Sequence, residues 1–466
     1  MSQPHSRRPV LVTGLAVAAL AAYLTVSGVF AEPPTPVGIE ALGTQRYERY
    51  EQPAACASCH VEIARQHEQA MMSQAYTHHW DEIEYFELAL PHAERVAKMA
   101  GVRAECNGCH APLALLAGDI PPRPPSARSR ANESVSCDLC HTVVGFRGEV
   151  PVNFNWITAP GKVKQGPRPG LVSPHHETRE NPFLRSAEFC GTCHNEMDSW
   201  GLFVKSTHLE WKEGPHGRAG IVCQECHMPP APGRSARMGS ELPDVRQHLF
   251  HGAHDPGKLA GVAEVRIHPE LREAEPGDTV RLTAVVVNAK AGHKIPSGSA
   301  EERLLWLHVE ATDAKGRTFH LPVDPKGFPG EAYTIASATA LAYQDIGEIR
   351  GLPEFPGLKR DGTYAEMAEG DRIFRLPYLD PEGRMTVAQW NTAAFSTDYR
   401  LAPLSAVAET FTWKVPADAP PGPVTVTASL HYSRLVSSVG EFLKVPAEEW
   451  EPVRINTHTT TFEVLD

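Results

Sequence analysis

All ten cysteines of the chain fall in five copies of one pentapeptide: Cys56-Ala-Ser-Cys59-His60, Cys106-Asn-Gly-Cys109-His110, Cys137-Asp-Leu-Cys140-His141, Cys190-Gly-Thr-Cys193-His194 and Cys223-Gln-Glu-Cys226-His227. Cys-x-x-Cys-His is the attachment pattern of c-type haem. Two thiols three positions apart lie on one side of a helical turn, where they can form thioethers to the two vinyl groups of one porphyrin. The adjacent imidazole then reaches the iron. The pattern implies five c-type haems with His60, His110, His141, His194 and His227 as proximal ligands. Disulfides within each pair would close strained loops and would not explain a histidine after every second cysteine. Zinc ribbons pair such units without a histidine at a constant offset.

The elements that must position these groups lie in residues 40–260, which read as short helices joined by Pro- and Gly-rich loops. Few Leu, Ile or Val clusters occur there, as expected if the macrocycles supply most of the apolar core. Val61 to Tyr76 reads as a helix, while Pro121 to Pro125 and Gly166 to Gly170 read as loops. The proximal histidines are separated by 50, 31, 53 and 33 residues. That rhythm suggests a tandem two-haem unit, joining His110 with His141 and His194 with His227. His67 stands seven residues beyond His60, about 10 Å along a helix, so it could serve only a neighbouring haem.

From residue 263 the pattern changes to period two. Val280, Leu282, Ala284 and Val286 alternate with polar residues, as do Leu305, Leu307, Val309 and Ala311. Phe411, Trp413 and Val415, then Val424 to Tyr432, then Thr461 to Leu465, repeat the theme. Several such runs separated by turn residues predict an immunoglobulin-like β-sandwich over 263–466, with a long irregular insertion at about 324–405. The fold class is thus α+β multidomain: a mainly α or irregular multihaem cytochrome c domain followed by a β-sandwich. His92, His308, His320, His431 and His458 read as ordinary solvent-facing positions.

Arg7 and Arg8 precede an uncharged apolar run from Val10 to Phe30, and Val29-Phe-Ala31 resembles a cleavage site. Residues 1–31 are therefore a signal peptide or, uncleaved, an inner-membrane anchor over 10–31, because the run is just long enough to span a bilayer. Either way the body is exported, periplasmic or extracellular. The formal charge of −12, made more negative by haem propionates, argues against nucleic acid and favours basic faces of redox donors and acceptors.

The segments Cys56-Ala-Ser-Cys-His-Val-Glu-Ile, Glu210-Trp-Lys-Glu-Gly-Pro-His-Gly and Cys223-Gln-Glu-Cys-His-Met-Pro resemble the multihaem cytochrome c superfamily. That group includes the tetrahaem carriers of ammonia oxidisers and the multihaem nitrite and hydroxylamine enzymes. Ala291-Gly-His-Lys-Ile-Pro-Ser-Gly298 resembles a segment of multihaem cytochromes with an appended β-domain. The resemblance implies distal ligands at His176, His216, His248 and His254, and at His293, which would staple the β-domain to the haems. Relatives carry Ser-Met-His-x-x-Ala-Tyr after the first motif, whereas this chain reads Ala70-Met71-Met72-Ser-Gln-Ala75-Tyr76. Met72 therefore stands where a distal histidine is expected. A His/Met iron there would have a raised potential. The alternatives are ligation by His67, His78 or His79, with Met72 as packing, or an open site.

Three functional readings follow. Five closed irons make an electron carrier, the expectation favoured here. One open iron with a proton donor and positive charge would make an oxidoreductase for a small nitrogen or sulfur compound. An axial histidine donated between copies would make a self-assembling filament subunit.

Overall fold

The computed structural model describes residues 38, 42–328, 333–334, 367–435 and 437–466. The N-terminal apolar run and part of the expected insertion lie outside the described residues. Among the described residues no helix is long and apolar enough to cross a membrane.

In the N-terminal half each motif sits on or beside a short helix. These are α1 (Pro53–Ala57), α3 (Val102–His110), α4 (Cys137–Cys140), α5 (Ala187–His194) and α6 (Cys223–His227). Serine caps start two of them: Ser136 Oγ accepts from the Leu139 amide and Ser186 Oγ from the Phe189 amide, both at 3.4 Å. The helix expected over 61–76 is broken. It runs as α2 (Val61–Gln69), turns extended at Ala70 (ψ 144°), and resumes over Met71–Gln74. The interruption has local partners: Ser73 Oγ donates to the Ala70 carbonyl at 2.9 Å, and the Met72 carbonyl accepts from Val135 at 3.1 Å. The break thus ties the chain after the first motif to the segment entering the third.

Four small ladders complete the described part of this half, among them the antiparallel pairs of Val143–Phe146 with Trp156–Thr158 and of Glu196–Met197 with Phe203–Lys205. Val163–Gly166 pairs in parallel with Glu177–Glu180, and Pro230–Gly233 pairs antiparallel with Leu242–Arg246.

Besides a small antiparallel sheet of Met385–Thr386, Tyr378–Leu379 and Ala394–Phe395, the described residues of the C-terminal half form two main sheets. One has the order β6 (Ala406–Lys414), β2 (Thr279–Asn288), β1 (Ala263–Pro269), all antiparallel. The other runs β8 (Val453–Val464), β7 (Gly422–Ser433), β3 (Leu304–Thr312), β4 (Thr318–His320), with β5 (Arg372–Phe374) also on β3 and a short parallel strand, Glu273–Ala274, along β8. The alternating apolar residues of β2 and β7 meet in one core between the sheets, with Val280, Leu282, Val424 and Val426 fully buried. β5 belongs to the larger sheet, so the expected insertion is not wholly irregular.

The face of β3 that alternation assigns to solvent is covered. Leu305 and Leu307 point into the sheet-to-sheet core, while Leu304 and Trp306 pack with Trp80, Leu88, Met99 and Val102 of the N-terminal half. The two halves therefore share a second apolar core, in which each fully buried large side chain contributes roughly 1.5–3 kcal/mol. Polar groups cross the same boundary. Arg400 Nη1 meets Glu210 Oε1 at 2.7 Å, Ser297 Oγ donates to Glu210 Oε2 at 2.7 Å, and Trp80 Nε1 donates to Glu302 Oε1 at 2.8 Å. His92 and His431 are corrected by this packing. His92 accepts from Trp390 Nε1 and His431 lies parallel to Trp306, so both are buried rather than solvent-facing.

Candidate functional site

The motif helices surround one cavity of about 2320 Å³. That is more than twice the roughly 1,000 Å³ upper end of ordinary ligand pockets. All five motif histidines and nine of the ten cysteines line it; Cys106 lines a small adjoining cavity together with Cys109 and His110. The ten thiols are free of disulfides. Close packing brings the motifs together where small residues allow it: a Cβ on Gly108 would lie 2.0 Å from the Phe154 ring, and one on Gly191 would lie 2.8 Å from His208 Cγ.

Thiols of different motifs touch. Cys56 is in hydrogen-bond contact with Cys137, Cys109 with Cys193, and Cys190 with Cys223. The first motif thus neighbours the third, the second neighbours the fourth, and the fourth neighbours the fifth. Of the tandem pairs expected from spacing, the one between His194 and His227 matches such a contact. The second motif instead meets the fourth, where Cys109 Sγ lies 3.8 Å from the Cys193 carbonyl.

Three motif histidines face a second imidazole across a gap. His60 and His176 have ring centroids 6.3 Å apart with planes at 25°, His141 and His248 are 6.3 Å apart at 26°, and His227 and His293 are 6.4 Å apart at 16°. Direct ring stacking would bring carbon atoms to about 3.5–4 Å. An iron between two imidazoles, at about 2.0 Å per metal–nitrogen bond, places their centroids roughly 6.3 Å apart. The ring nitrogens are also sorted for that purpose. Nδ1 of His60 is bound by Ser235 O at 2.6 Å, that of His141 by Gln165 O at 2.7 Å, and that of His227 by His251 O at 2.7 Å. Opposite them, His176 Nδ1 contacts Glu177 O at 3.1 Å, His248 Nδ1 contacts Arg246 O at 2.9 Å, and His293 Nδ1 contacts Lys294 O at 2.8 Å. A backbone carbonyl on Nδ1 fixes the tautomer that leaves the Nε2 lone pair for a metal. Burial holds the imidazoles of His194, His227 and His248 neutral, each lowered to about 4. These residues fit c haem.

The ladders explain the placement. Gln165, which orients His141, lies on the strand paired with Glu177–Glu180, and His176 immediately precedes that partner strand. One two-stranded unit therefore serves both the first and third motifs. His248 follows Leu242–Arg246, and its amide donates to Gln66 Oε1 of α2 at 2.8 Å. His293 sits in the loop after β2, its carbonyl held by Asn288 Nδ2 at 2.9 Å.

His110 and His194 are different. His110 Nδ1 contacts Ala75 O at 2.6 Å, yet among the described residues no imidazole is recorded across a like gap from either ring. Met72 lines the cavity and packs on the apolar cluster of Leu113, Leu139 and Phe154, which also takes in Cys109 and Cys193. Since His60 faces His176, Met72 is not paired with the motif that precedes it in sequence. His216 lies against Gly292, with Nδ1 buried and unbonded. His254 lies edge-on to His78 at 5.0 Å and 3.6 Å from Glu449.

His78 was one stand-in considered for Met72, and it is engaged otherwise. Burial depresses its pKa, but hydrogen bonds to Asp81 and Glu449 outweigh that and raise it to about 9. His67 is likewise occupied, with Nε2 on Val135 O at 3.0 Å. His208, not singled out by sequence, lines the cavity with a buried, unbonded Nε2, and only its place fourteen residues beyond His194 could have marked it.

Beside the second motif, burial pushes Glu84 up to about 8 and Glu301 up to about 7. Lys205 bridges Glu196 at 2.7 Å in the same region.

Comparison with known proteins gives a consistent picture. Residues 55–142 match the family model "Cytochrome c554 and c-prime". The chain is 23% identical over 182 residues to a "Cytochrome c-552" of Haemophilus influenzae strain Rd, covering 38% of this chain and 28% of that one; the same-named protein of strain 86-028NP is 24% identical over 182 residues. It thus spans less than a third of the length of these relatives. Among solved structures it is similar to a penta-heme cytochrome c552 from Thermochromatium tepidum, with a TM-score of 0.61, 20% identity, and coverage of 89% of this chain and 99% of that one.

Proposed function

We propose, on the premise that this chain is a multihaem c-type cytochrome, that it holds five c haems in the central cavity and passes single electrons between redox partners. When bound, c haem supplies reversible one-electron exchange at iron. The chain's own residues do the rest. The ten motif cysteines attach the groups, the five motif histidines are proximal ligands, and His176, His248 and His293 are the sixth ligands opposite His60, His141 and His227. The observation that carries this reading is the set of three near-parallel imidazole pairs, 6.3–6.4 Å apart, with both Nδ1 atoms of each pair engaged by backbone carbonyls. The thiol contacts support a spatial arrangement in which the first group neighbours the third, and the second and fifth each neighbour the fourth. The N-terminal run directs export, so the carrier acts in the periplasm or outside the cell, and its acidic surface favours basic partners. The two C-terminal sheets form an immunoglobulin-like sandwich that contributes His293.

A second reading rests on one further observation. Lys205, Arg303 and Arg434 line the same cavity as His110 and His194, together with His78, His254 and Tyr432. An iron with an open position there would meet cationic side chains and proton donors set among the carboxylates Asp81, Glu196 and Glu449, a combination that could bind and protonate a small nitrogen or sulfur oxyanion. Spectra of the ferric holoprotein separate the two. Five low-spin centres unchanged by cyanide or nitrite establish the carrier, whereas a high-spin component that shifts with cyanide establishes an open site. Met72→Ala refines the answer: a carrier closed by Met72 gains one high-spin centre, and one closed by His216 or His254 does not.

A further inference from the structure

We infer that His308, His320 and Asp371, on the outer sheet of the C-terminal half, form a binding site for a divalent first-row transition cation, apart from the haem cavity. None of the three lines that cavity. His308 lies on β3, His320 ends β4, and Asp371 immediately precedes β5. Both β4 and β5 pair with β3, through Glu310↔His320 and Leu307↔Arg372, so the register gathers all three residues at one edge.

The side chains converge on one oxygen. Asp371 Oδ1 is 2.9 Å from His308 Nδ1 and 2.8 Å from His320 Nε2, and the two rings lie at 16° with centroids 5.1 Å apart. The donor atoms of all three lie within 4.8 Å of one another. The carboxylate is held in place: its side chain is fully buried and Oδ2 accepts from the Ala368 amide at 2.8 Å. Two ligands at about 2.0–2.1 Å from an ion lie roughly 2.9 Å apart at right angles and roughly 3.4 Å apart in a tetrahedron, so small ring rotations seat either geometry on this set.

Two imidazoles and one carboxylate suit zinc and its neighbours rather than calcium or magnesium. The imidazoles keep access to solvent, with 16% and 28% of the two side chains exposed, which gives an ion an entry path and open positions for water. Metal entry requires each ring proton to sit on its far nitrogen. On His308 that nitrogen is 3.9 Å from Glu310 Oε2, a carboxylate placed to favour this tautomer. The site joins position 320 to position 371, so an occupying ion would link the end of β4 to the start of β5.

The test is zinc binding to the chelator-treated holoprotein, followed by titration calorimetry and thermal unfolding. One equivalent of zinc is expected to bind and to raise the unfolding temperature. Asp371→Asn and His320→Ala should each weaken that binding at least tenfold, while the haem spectrum and far-ultraviolet dichroism stay as in the parent. Glu449→Gln, which alters the His78, His254 and Glu449 cluster instead, should leave it intact. Absence of zinc binding in the parent, retention of the same affinity in both site variants, or loss in Glu449→Gln alone would each overturn the inference.

Discussion

The two halves of the molecule solve the problem of a core in opposite ways. In the C-terminal half, Val280, Leu282, Val424 and Val426 fill the space between two sheets with their own side chains. In the N-terminal half, short helices and small ladders surround a cavity of about 2320 Å³ lined by all five motif histidines and nine motif cysteines. The first half thus leaves at its centre a space that its own side chains do not fill, whereas the second fills its centre with them. The difference teaches where stability and where chemistry reside. A third region, the apolar contact of Leu304 and Trp306 with Trp80, Leu88 and Met99, joins them.

The contrast can be broken most severely at a motif. Replacing Cys137 and Cys140 together by serine should remove one haem and, through the contact of Cys137 with Cys56, disturb its neighbour. The expected result is loss of about a fifth of the haem absorbance and collapse of the cooperative N-terminal transition, with the β dichroism retained. A β signal lost in parallel would show that the second half is not independent.

Next in size is the ion pair between the halves. Glu210→Ala removes one of the two carboxylates on buried Arg400 and leaves Asp398 as its partner, so the cost should be appreciable but below the about 3–5 kcal/mol of leaving a buried charge unpaired. Denaturant unfolding followed at the haem and at the sheets should split into two transitions. Leu307→Ala, confined to the sheet-to-sheet core, should cost about 2–5 kcal/mol in the β transition while the haem spectrum is unchanged.

The smallest effect concerns pH. Glu84 and Glu301 hold protons in the folded state up to about pH 8 and pH 7, whereas in the unfolded chain they lose them near 4.5. The folded state then binds more protons over that window, so stability should fall as pH rises from about 4.5 to about 8. Glu84→Gln should shrink the drop in denaturant midpoint between pH 5 and pH 8, and an unchanged drop would assign it to other groups.

What sequence could reveal follows the same division. The attachment residues are local in sequence, so Cys190 to His194 announces itself within five positions. The strands are also local, since alternation along Val280 to Val286 encodes which face is buried. Ligand pairing is not local: His60 meets His176 because a parallel ladder returns the chain, and nothing near either residue records that return. Resemblance supplied His176, His248 and His293 as candidates, while the partner of each came only from three dimensions. The covered face of β3 escaped for a related reason. Trp306 sits in a normal alternation, and the helices that bury it lie some two hundred positions earlier. His308 and His320 read as surface residues because their common neighbour, Asp371, lies more than fifty positions later in the sequence.

The position of His293 also sets an order of events during synthesis. The chain emerges N-terminus first, so Cys223 to His227 is complete well before His293 is made. The loop bearing His293 is framed later still, by the bridge between Ile295 and Leu401 and by pairing of β2 with β6. If His293 closes the fifth site, that closure waits until the strand reaching Leu401 has joined its partner, so the last-formed part of the loop's frame governs the earlier-finished member of the pair.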